Sequence, residues 1–114
     1  MYKYDFIVKQ GESFIQDVKF KSKTTKEPIV FLDSAMAKAQ IREHPGVEEI
    51  IAEINCDLHP NDGVVNLYLD RETTSNIAAG IYYYDLTITE EDNTIYYLQG
   101  RFIIKKHVTE VINE

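Results

Sequence analysis

The chain has 114 residues, of which 44% are hydrophobic, so we expect one domain with a sizeable buried core. Its net charge of -7 argues against nucleic acid as the main partner, because phosphate binding needs a basic surface. A single cysteine excludes a disulfide within the chain, and no segment approaches the ~20 apolar residues of a membrane span. The eight tyrosines and five phenylalanines favour an all-β protein, because aromatic residues fit pleated, half-buried surfaces.

Alternating apolar residues predict strands in the first part of the chain. Residues 2–8 alternate, and a second alternating segment covers 14–20. A turn around Gly11 is expected to separate the two strands. The polar segment 21–28 is predicted to be a loop, and the short apolar run 29–32 is predicted to be buried.

Two templates compete between Ser34 and Ile54. Ser34 is a good helix cap, residues 35–40 are good helix formers, and a second helical spacing follows at Val47, Ile50, Ile51 and Ile54. The alternative is a pair of strands joined by a turn at Pro45-Gly46, with alternate residues on one face. The periodicity leaves both interpretations open.

The following segments predict further strands. Asn61-Asp62-Gly63 is a strong turn signal, and the apolar alternation of 65–69 follows it. The polar connection 71–79 can hold a single helical turn. Strands spaced about ten residues apart, with turn residues between them, are typical of a β-sandwich.

The last two predicted strands are long and flank a polar hairpin loop at 90–93. Their core-facing residues are expected to be Tyr82, Tyr84, Leu86 and Ile88 on the first strand, and Tyr96, Leu98, Gly100, Phe102 and Ile104 on the second. Tyr82 follows Gly80 at the start of its strand, where a Greek-key sandwich has a tyrosine corner, although a tyrosine at the start of a strand is more often simply a core residue.

The residues between Cys56 and Gly63 raise the question of a metal site. Cys56, Asp57, His59 and Asp62 have metal-ligand chemistry, but the run 56–63 has the composition of a turn, which is the preferred interpretation. The acidic run 90–93 lacks the ligand spacing of a calcium loop, so it is interpreted as a hairpin tip. Because no catalytic motif occurs either, we predict no catalytic, cofactor-binding or metal-binding residues.

Three longer motifs resemble a known family. They are Phe6-Ile7-Val8-Lys9-Gln10-Gly11-Glu12-Ser13-Phe14, Ala37-Lys38-Ala39-Gln40-Ile41-Arg42, and Ala79-Gly80-Ile81-Tyr82-Tyr83-Tyr84-Asp85-Leu86 with the later Gln99-Gly100-Arg101-Phe102. Together they resemble small virion proteins of tailed phages, a group that includes the immunoglobulin-like N-terminal domain of the phage baseplate upper protein family.

The resemblance implies an immunoglobulin-like antiparallel β-sandwich of about seven to eight strands, with strands at 35–42 and 49–55. The chain length and the end of the last predicted strand indicate a single domain over 1–107, followed by a C-terminal tail or docking arm over 108–114. The implied role is a non-enzymatic tail, baseplate or fibre-adaptor subunit that binds other virion proteins in a symmetric multi-copy assembly. We therefore expect no cofactor, nucleic acid or membrane as partner, and a location in the virion after synthesis in the host cytoplasm. The alternatives are a capsid decoration protein and a carbohydrate- or host-surface-binding module.

A partner surface is predicted on the second face of the last two strands. A solvent-facing sheet surface is normally polar, whereas this face carries tyrosines and isoleucines. The competing interpretation is that another strand or the N-terminal segment covers it. The segment 108–114 is either a frayed end or an arm that orders on a neighbour. The candidate interface residues are Tyr83, Ile95, Tyr97, Arg101, Ile103, Val108, Val111 and Ile112.

Overall fold

The computed structural model describes residues 2–106, except for the side chains of 95–97. The elements of this part of the chain are, in order, β1 (Tyr2–Lys3), β2 (Phe6–Lys9), β3 (Phe14–Lys19), β4 (Met36–Arg42), β5 (Ala52–His59), β6 (Val64–Leu69), α1 (Arg71–Ser75), β7 (Gly80–Glu90) and β8 (Asn93–Lys105).

The strands form two sheets because β5 changes sheets halfway along its length. Its first part pairs with β4 and its second part pairs with β6, both antiparallel. The larger sheet has the order β1 and β2, β8, β7, β4 and the start of β5, and the smaller sheet contains the end of β5, β6 and β3. β1 and β2 run parallel to β8, whereas the other strand pairs are antiparallel. The chain is an immunoglobulin-like β-sandwich.

The core lies between the two sheets and is built from alternate residues of each strand. The predicted inward phases over 14–20, 65–69 and 82–88 are confirmed. Phe6 links the two sheets, because its ring centroid lies 5.2 Å from that of Phe14 and 4.9 Å from that of Tyr84. Alternation therefore identifies the inner side of each sheet correctly.

The segment between β4 and β5 corrects one sequence expectation. Strands are confirmed in place of helices, but the second strand begins at Ala52 rather than at 49 and continues to His59. Residues 43–51 form a connecting loop in which Val47, Ile50 and Ile51 are exposed. Their helical spacing is therefore not used for packing, because the loop presents these side chains to solvent.

Two shorter expectations are also wrong in part. The run 29–32 is not buried throughout, because Val30 is 67% and Leu32 48% exposed. Phe31 alone is fully inward in that run, where its ring packs edge-on against Phe20. The segment 56–63 is a turn only from Pro60 onward, because residues up to His59 pair with β6.

The connection between β6 and β7 contains the single helical turn that the sequence allows, and Tyr82 forms a tyrosine corner at its end. Asp70 caps α1 by accepting a 2.7 Å hydrogen bond from the backbone N–H of Thr73. The hydroxyl of Tyr82 donates a 2.6 Å hydrogen bond to the carbonyl oxygen of Ala78, four residues upstream. This bond holds the chain where it enters β7, as expected for the corner of a Greek-key sandwich.

Candidate docking surface

Three isoleucines form a continuous row across the outer face of the larger sheet, the side that points away from the core. Ile103 of β8 pairs with Ile7 of β2 on one side and with Ile81 of β7 on the other. Ile7 is 60% and Ile81 is 54% exposed, and Ile103 between them is half-buried. We call these residues the isoleucine row. An apolar row on a solvent-facing sheet surface is typical of a contact surface.

The adjacent row on the same face is polar and aromatic. Tyr83 of β7 lies opposite Arg101 of β8, and Asp5 lies beyond Arg101 in the N-terminal segment. The carboxylate of Asp5 accepts hydrogen bonds from the backbone N–H of Arg101 at 2.8 Å and from its Nε and Nη2 atoms at 3.1 and 2.8 Å. These contacts hold the guanidinium against the N-terminal segment, in the same cross-strand row as Tyr83. Tyrosine and arginine are both enriched in protein interfaces.

The charges of this pair shift the ionisation of both partners. The backbone N–H of Arg101, and then its guanidinium, hold the pKa of Asp5 below its ordinary value. The Asp5 carboxylate in turn raises the pKa of Arg101. Both groups therefore remain charged at neutral pH, and the ion pair fixes the N-terminal segment to β8.

A groove of about 810 Å³ lies over this polar part of the outer face. Residues 3–5 border it on one side and Pro45-Gly46 on another, and Tyr83 is part of its lining. Arg42 donates a 2.8 Å hydrogen bond to the side chain of Gln40, and its Nη1 atom lies 3.9 Å from the carboxylate of Asp85. The groove is therefore lined by oriented polar groups and by three tyrosines, of which Tyr4 is exposed, Tyr83 half-buried and Tyr84 buried.

The structure brings together three of the candidate interface residues, Tyr83, Arg101 and Ile103. The backbone of Ile95 and Tyr97 belongs to β8, but the structure does not describe their side chains. The remaining three, Val108, Val111 and Ile112, lie outside the described residues. The interpretation that the N-terminal segment covers the whole face is wrong for the isoleucine row, because β2 lies beside β8 rather than over it.

Ile7 belongs to this surface but was not among the predicted interface residues. The sequence does indicate an outward-facing apolar residue here, because Ile7 alternates with the inward residues on the same side of the strand as Lys3 and Asp5. Its neighbours depend on the parallel pairing of β2 with β8, which joins segments about a hundred residues apart. The sequence pattern along either strand alone does not predict that pairing.

Three of the four residues considered for a metal site lie on opposite faces of β5, and the fourth, Asp62, is exposed in the turn that follows. Cys56 packs against the core, and burial raises the pKa of its thiol to about 11. Asp57 and His59 point outward, with 3.4 Å between the imidazole Nε2 and the carboxylate. Within residues 2–106, no group of three or more His, Cys, Asp or Glu side chains is placed to hold a metal ion. At the β7–β8 hairpin, Glu90 accepts a hydrogen bond from the backbone N–H of Leu32.

Comparisons with known proteins add a distant structural likeness. No protein-family model and no curated protein matches the chain. A solved structure similar to it is that of the NK cell receptor NKp44, described as a triggering partner in natural cytotoxicity. The two chains share 6% sequence identity with a TM-score of 0.47, over 90% of this chain and 99% of the receptor chain. The part of the chain that the structure describes contains no helix with the length and apolar character needed to span a membrane.

Proposed function

We propose that this protein is a non-enzymatic structural subunit of a tailed-phage particle that acts through protein–protein docking in the tail or baseplate. The observation that carries the proposal is the isoleucine row, with Tyr83 and the held Arg101 beside it. Docking would bury these apolar side chains, at roughly 25 cal/mol per Å² of apolar surface removed from water. The net charge of -7 would keep free subunits soluble before assembly.

The position of the phage-like motifs supports the proposal. The motifs at 37–42, 79–86 and 99–102 lie in or at the start of β4, β7 and β8, and the motif at 6–14 spans β2 and the turn to β3. β2, β4, β7 and β8 all belong to the larger sheet. The resemblance is therefore concentrated in the sheet whose outer face carries the isoleucine row.

The experiment that tests the proposal is the location of the chain in a particle. Phage particles from cells that express the gene would be purified, and the chain identified by mass spectrometry and by cryo-EM density. We expect density for several symmetric copies with the isoleucine row in contact with a neighbouring protein. A chain that stays free in the cytoplasm and is missing from particles would contradict the proposal. Density on the capsid shell would assign it instead to the alternative role of capsid decoration protein.

A carbohydrate- or host-surface-binding module is a second candidate function, favoured by the groove beside Tyr83. Sugar sites combine an aromatic ring for stacking with oriented amide, carboxylate and guanidinium groups. Tyr83, Gln40, Asp85 and Arg42 provide these groups at this place. The test is a glycan microarray probed with the wild-type protein and with Tyr83→Ala. Binding that Tyr83→Ala abolishes supports this function, and a wild-type protein that binds no glycan on the array contradicts it.

A further inference from the structure

One edge of the smaller sheet has no strand beside it within the part of the chain that the structure describes. β3 is the last strand of that sheet, and β6 is its described partner. The backbone N–H of Phe20 donates a 2.8 Å hydrogen bond to the carbonyl oxygen of Gly63, so the even-numbered residues of β3 bond to β6. The backbone groups of the residues between them, Ile15, Asp17 and Lys19, therefore point away from β6 along the free edge.

The backbone groups on this edge are available to a further strand. The side-chain amide of Gln16 donates a 3.1 Å hydrogen bond to the carbonyl oxygen of Asp17. Within the described residues, the outward N–H and C=O groups of Ile15 and Lys19 have no hydrogen-bond partner in the protein. A row of such groups on an edge strand is a template for pairing with an extended segment of another chain.

An apolar cleft of about 560 Å³ lies beside the free edge, between the two sheets. Phe6 and Phe14 close the sandwich at one end, with ring centroids 5.2 Å apart, and the cleft follows β3 beyond this contact, from Gln16 to Lys21. Its apolar lining consists of Phe6, Val18, Phe20, Ile29 and Leu98. A strand added to the edge of β3 would lie over the mouth of the cleft and direct every second side chain into it.

The mouth of the cleft is basic in an otherwise acidic protein. Lys3 of the larger sheet and Lys19 and Lys21 along the edge of the smaller sheet line it, and all three are exposed. None of them has an ion-pair partner within the described residues. Asp17, the acidic residue of the lining, already accepts a hydrogen bond from the side chain of Asn66. The mouth therefore favours an added strand that carries carboxylates.

We infer that the free edge of β3 binds an extended segment of another protein, in which apolar side chains alternate with acidic ones. The segment extends the smaller sheet, its apolar side chains enter the cleft, and its carboxylates pair with Lys19 and Lys21. A second copy that presents the same edge is a poor occupant, because it brings its own lysines to the mouth. The site is separate from the isoleucine row on the outer face of the larger sheet. The inference therefore goes beyond the proposed function and does not depend on a place in a phage particle.

Titration of the purified full chain with a synthetic peptide tests the inference. The probe is a short, fluorescently labelled peptide in which valine and glutamate alternate, and its binding is followed by fluorescence anisotropy. We expect Lys19→Glu to weaken binding about fivefold or more, because it places like charges opposite each other on neighbouring strands. Lys38→Glu is the matched control and should bind like the wild type, since Lys38 is also exposed but its strand, β4, is paired on both sides. A peptide with lysine in place of each glutamate should not bind.

Amide hydrogen exchange, measured by NMR, distinguishes strand addition from simple insertion of apolar side chains into the cleft. The peptide should slow the exchange of the N–H groups of Asp17 and Lys19 about tenfold or more, because both become hydrogen-bonded. A wild-type protein that does not bind the valine–glutamate peptide overturns the inference, as does binding that Lys19→Glu and Lys38→Glu change equally. Binding that leaves the exchange of both N–H groups unchanged overturns it too. Because the experiment uses only the purified chain and a peptide, its failure leaves the presence of the protein in particles as a separate result.

Discussion

The hydroxyl of Tyr84 donates a 2.7 Å hydrogen bond to the carbonyl oxygen of Tyr4, and the bond passes beside Gly100. Tyr84 on β7 lies directly opposite Gly100 on β8. A Cβ atom at position 100 would lie 1.9 Å from the Tyr4 oxygen, closer than any non-bonded contact allows. Gly100 therefore leaves the space in which the N-terminal segment approaches β8, and Tyr84 satisfies the carbonyl group that lies there.

Gly100→Ala is expected to displace the N-terminal segment. The new methyl group must push the backbone of Tyr4 away from β8, at a cost of about 1–3 kcal/mol in the free energy of unfolding. Urea denaturation measures the change. Gly80→Ala is the control, because its Cβ would meet the Tyr82 ring at an ordinary 3.8 Å. Equal stability of the two variants would contradict the close approach at Gly100.

Tyr84→Phe removes the hydroxyl and leaves the Tyr4 carbonyl without its donor. The expected loss in the free energy of unfolding is about 1 kcal/mol, the usual contribution of one hydrogen bond. The measurement is again urea denaturation, with Tyr68→Phe as the control at an exposed tyrosine of the smaller sheet. If Tyr84→Phe were as stable as this control, the hydrogen bond would not contribute to folding.

The ion pair between Asp5 and Arg101 predicts a specific acid sensitivity. The folded protein holds the pKa of Asp5 below its ordinary 3.8, so the unfolded chain binds more protons in that range. The stabilisation is complete above about pH 5 and is lost as the pH falls through the folded value. Asp5→Asn should therefore show a smaller loss of stability than the wild type between pH 5 and pH 2, in thermal unfolding at each pH.

Arg101→Gln distinguishes the contribution of the guanidinium of Arg101 from that of its backbone N–H in the same experiment. The backbone N–H of residue 101 remains and is the largest cause of the lowered pKa of Asp5. This variant should therefore keep part of the wild-type acid sensitivity that Asp5→Asn loses. A wild-type profile in Asp5→Asn would show that the carboxylate does not stabilise the fold.

The single cysteine is expected to react slowly with thiol reagents. Burial against the core raises the pKa of Cys56 to about 11, and the thiolate is the reactive form. At pH 8 the native protein should react with Ellman's reagent at least about tenfold more slowly than the urea-unfolded chain. Equal rates in the two states would place Cys56 at the surface, where a metal site with Asp57 and His59 would again have to be considered.

Alternation along single strands was sufficient to predict the core, because each inward residue depends only on its own strand. Alternation predicts Leu67 and Leu86 as core residues, and both are fully buried. The isoleucine row could not be assembled in the same way. It requires the register that aligns Ile7 with Ile103, which pairs the two ends of the described chain.

The remaining differences between the sequence predictions and the structure lie in loops and in features that several segments build together. In the segment 43–51 the helical spacing of the apolar residues is real, but the hairpin between β4 and β5 places them in solvent. The spacing of these residues is compatible with a helix, and pairing of the flanking strands β4 and β5 decides the structure. The polar groove beside Tyr83 was also beyond prediction, because residues from four separate segments line it.

The most direct test of the docking surface is the number of copies of variant protein in purified particles. Quantitative mass spectrometry would compare Ile81→Arg with Ile15→Arg, two exposed isoleucines on the outer faces of different sheets. Both variants should fold, which circular dichroism checks. We predict that Ile81→Arg particles contain few or no copies, while Ile15→Arg particles contain the wild-type number. Wild-type incorporation of Ile81→Arg would contradict the assignment of the isoleucine row as the surface that holds this protein in a particle.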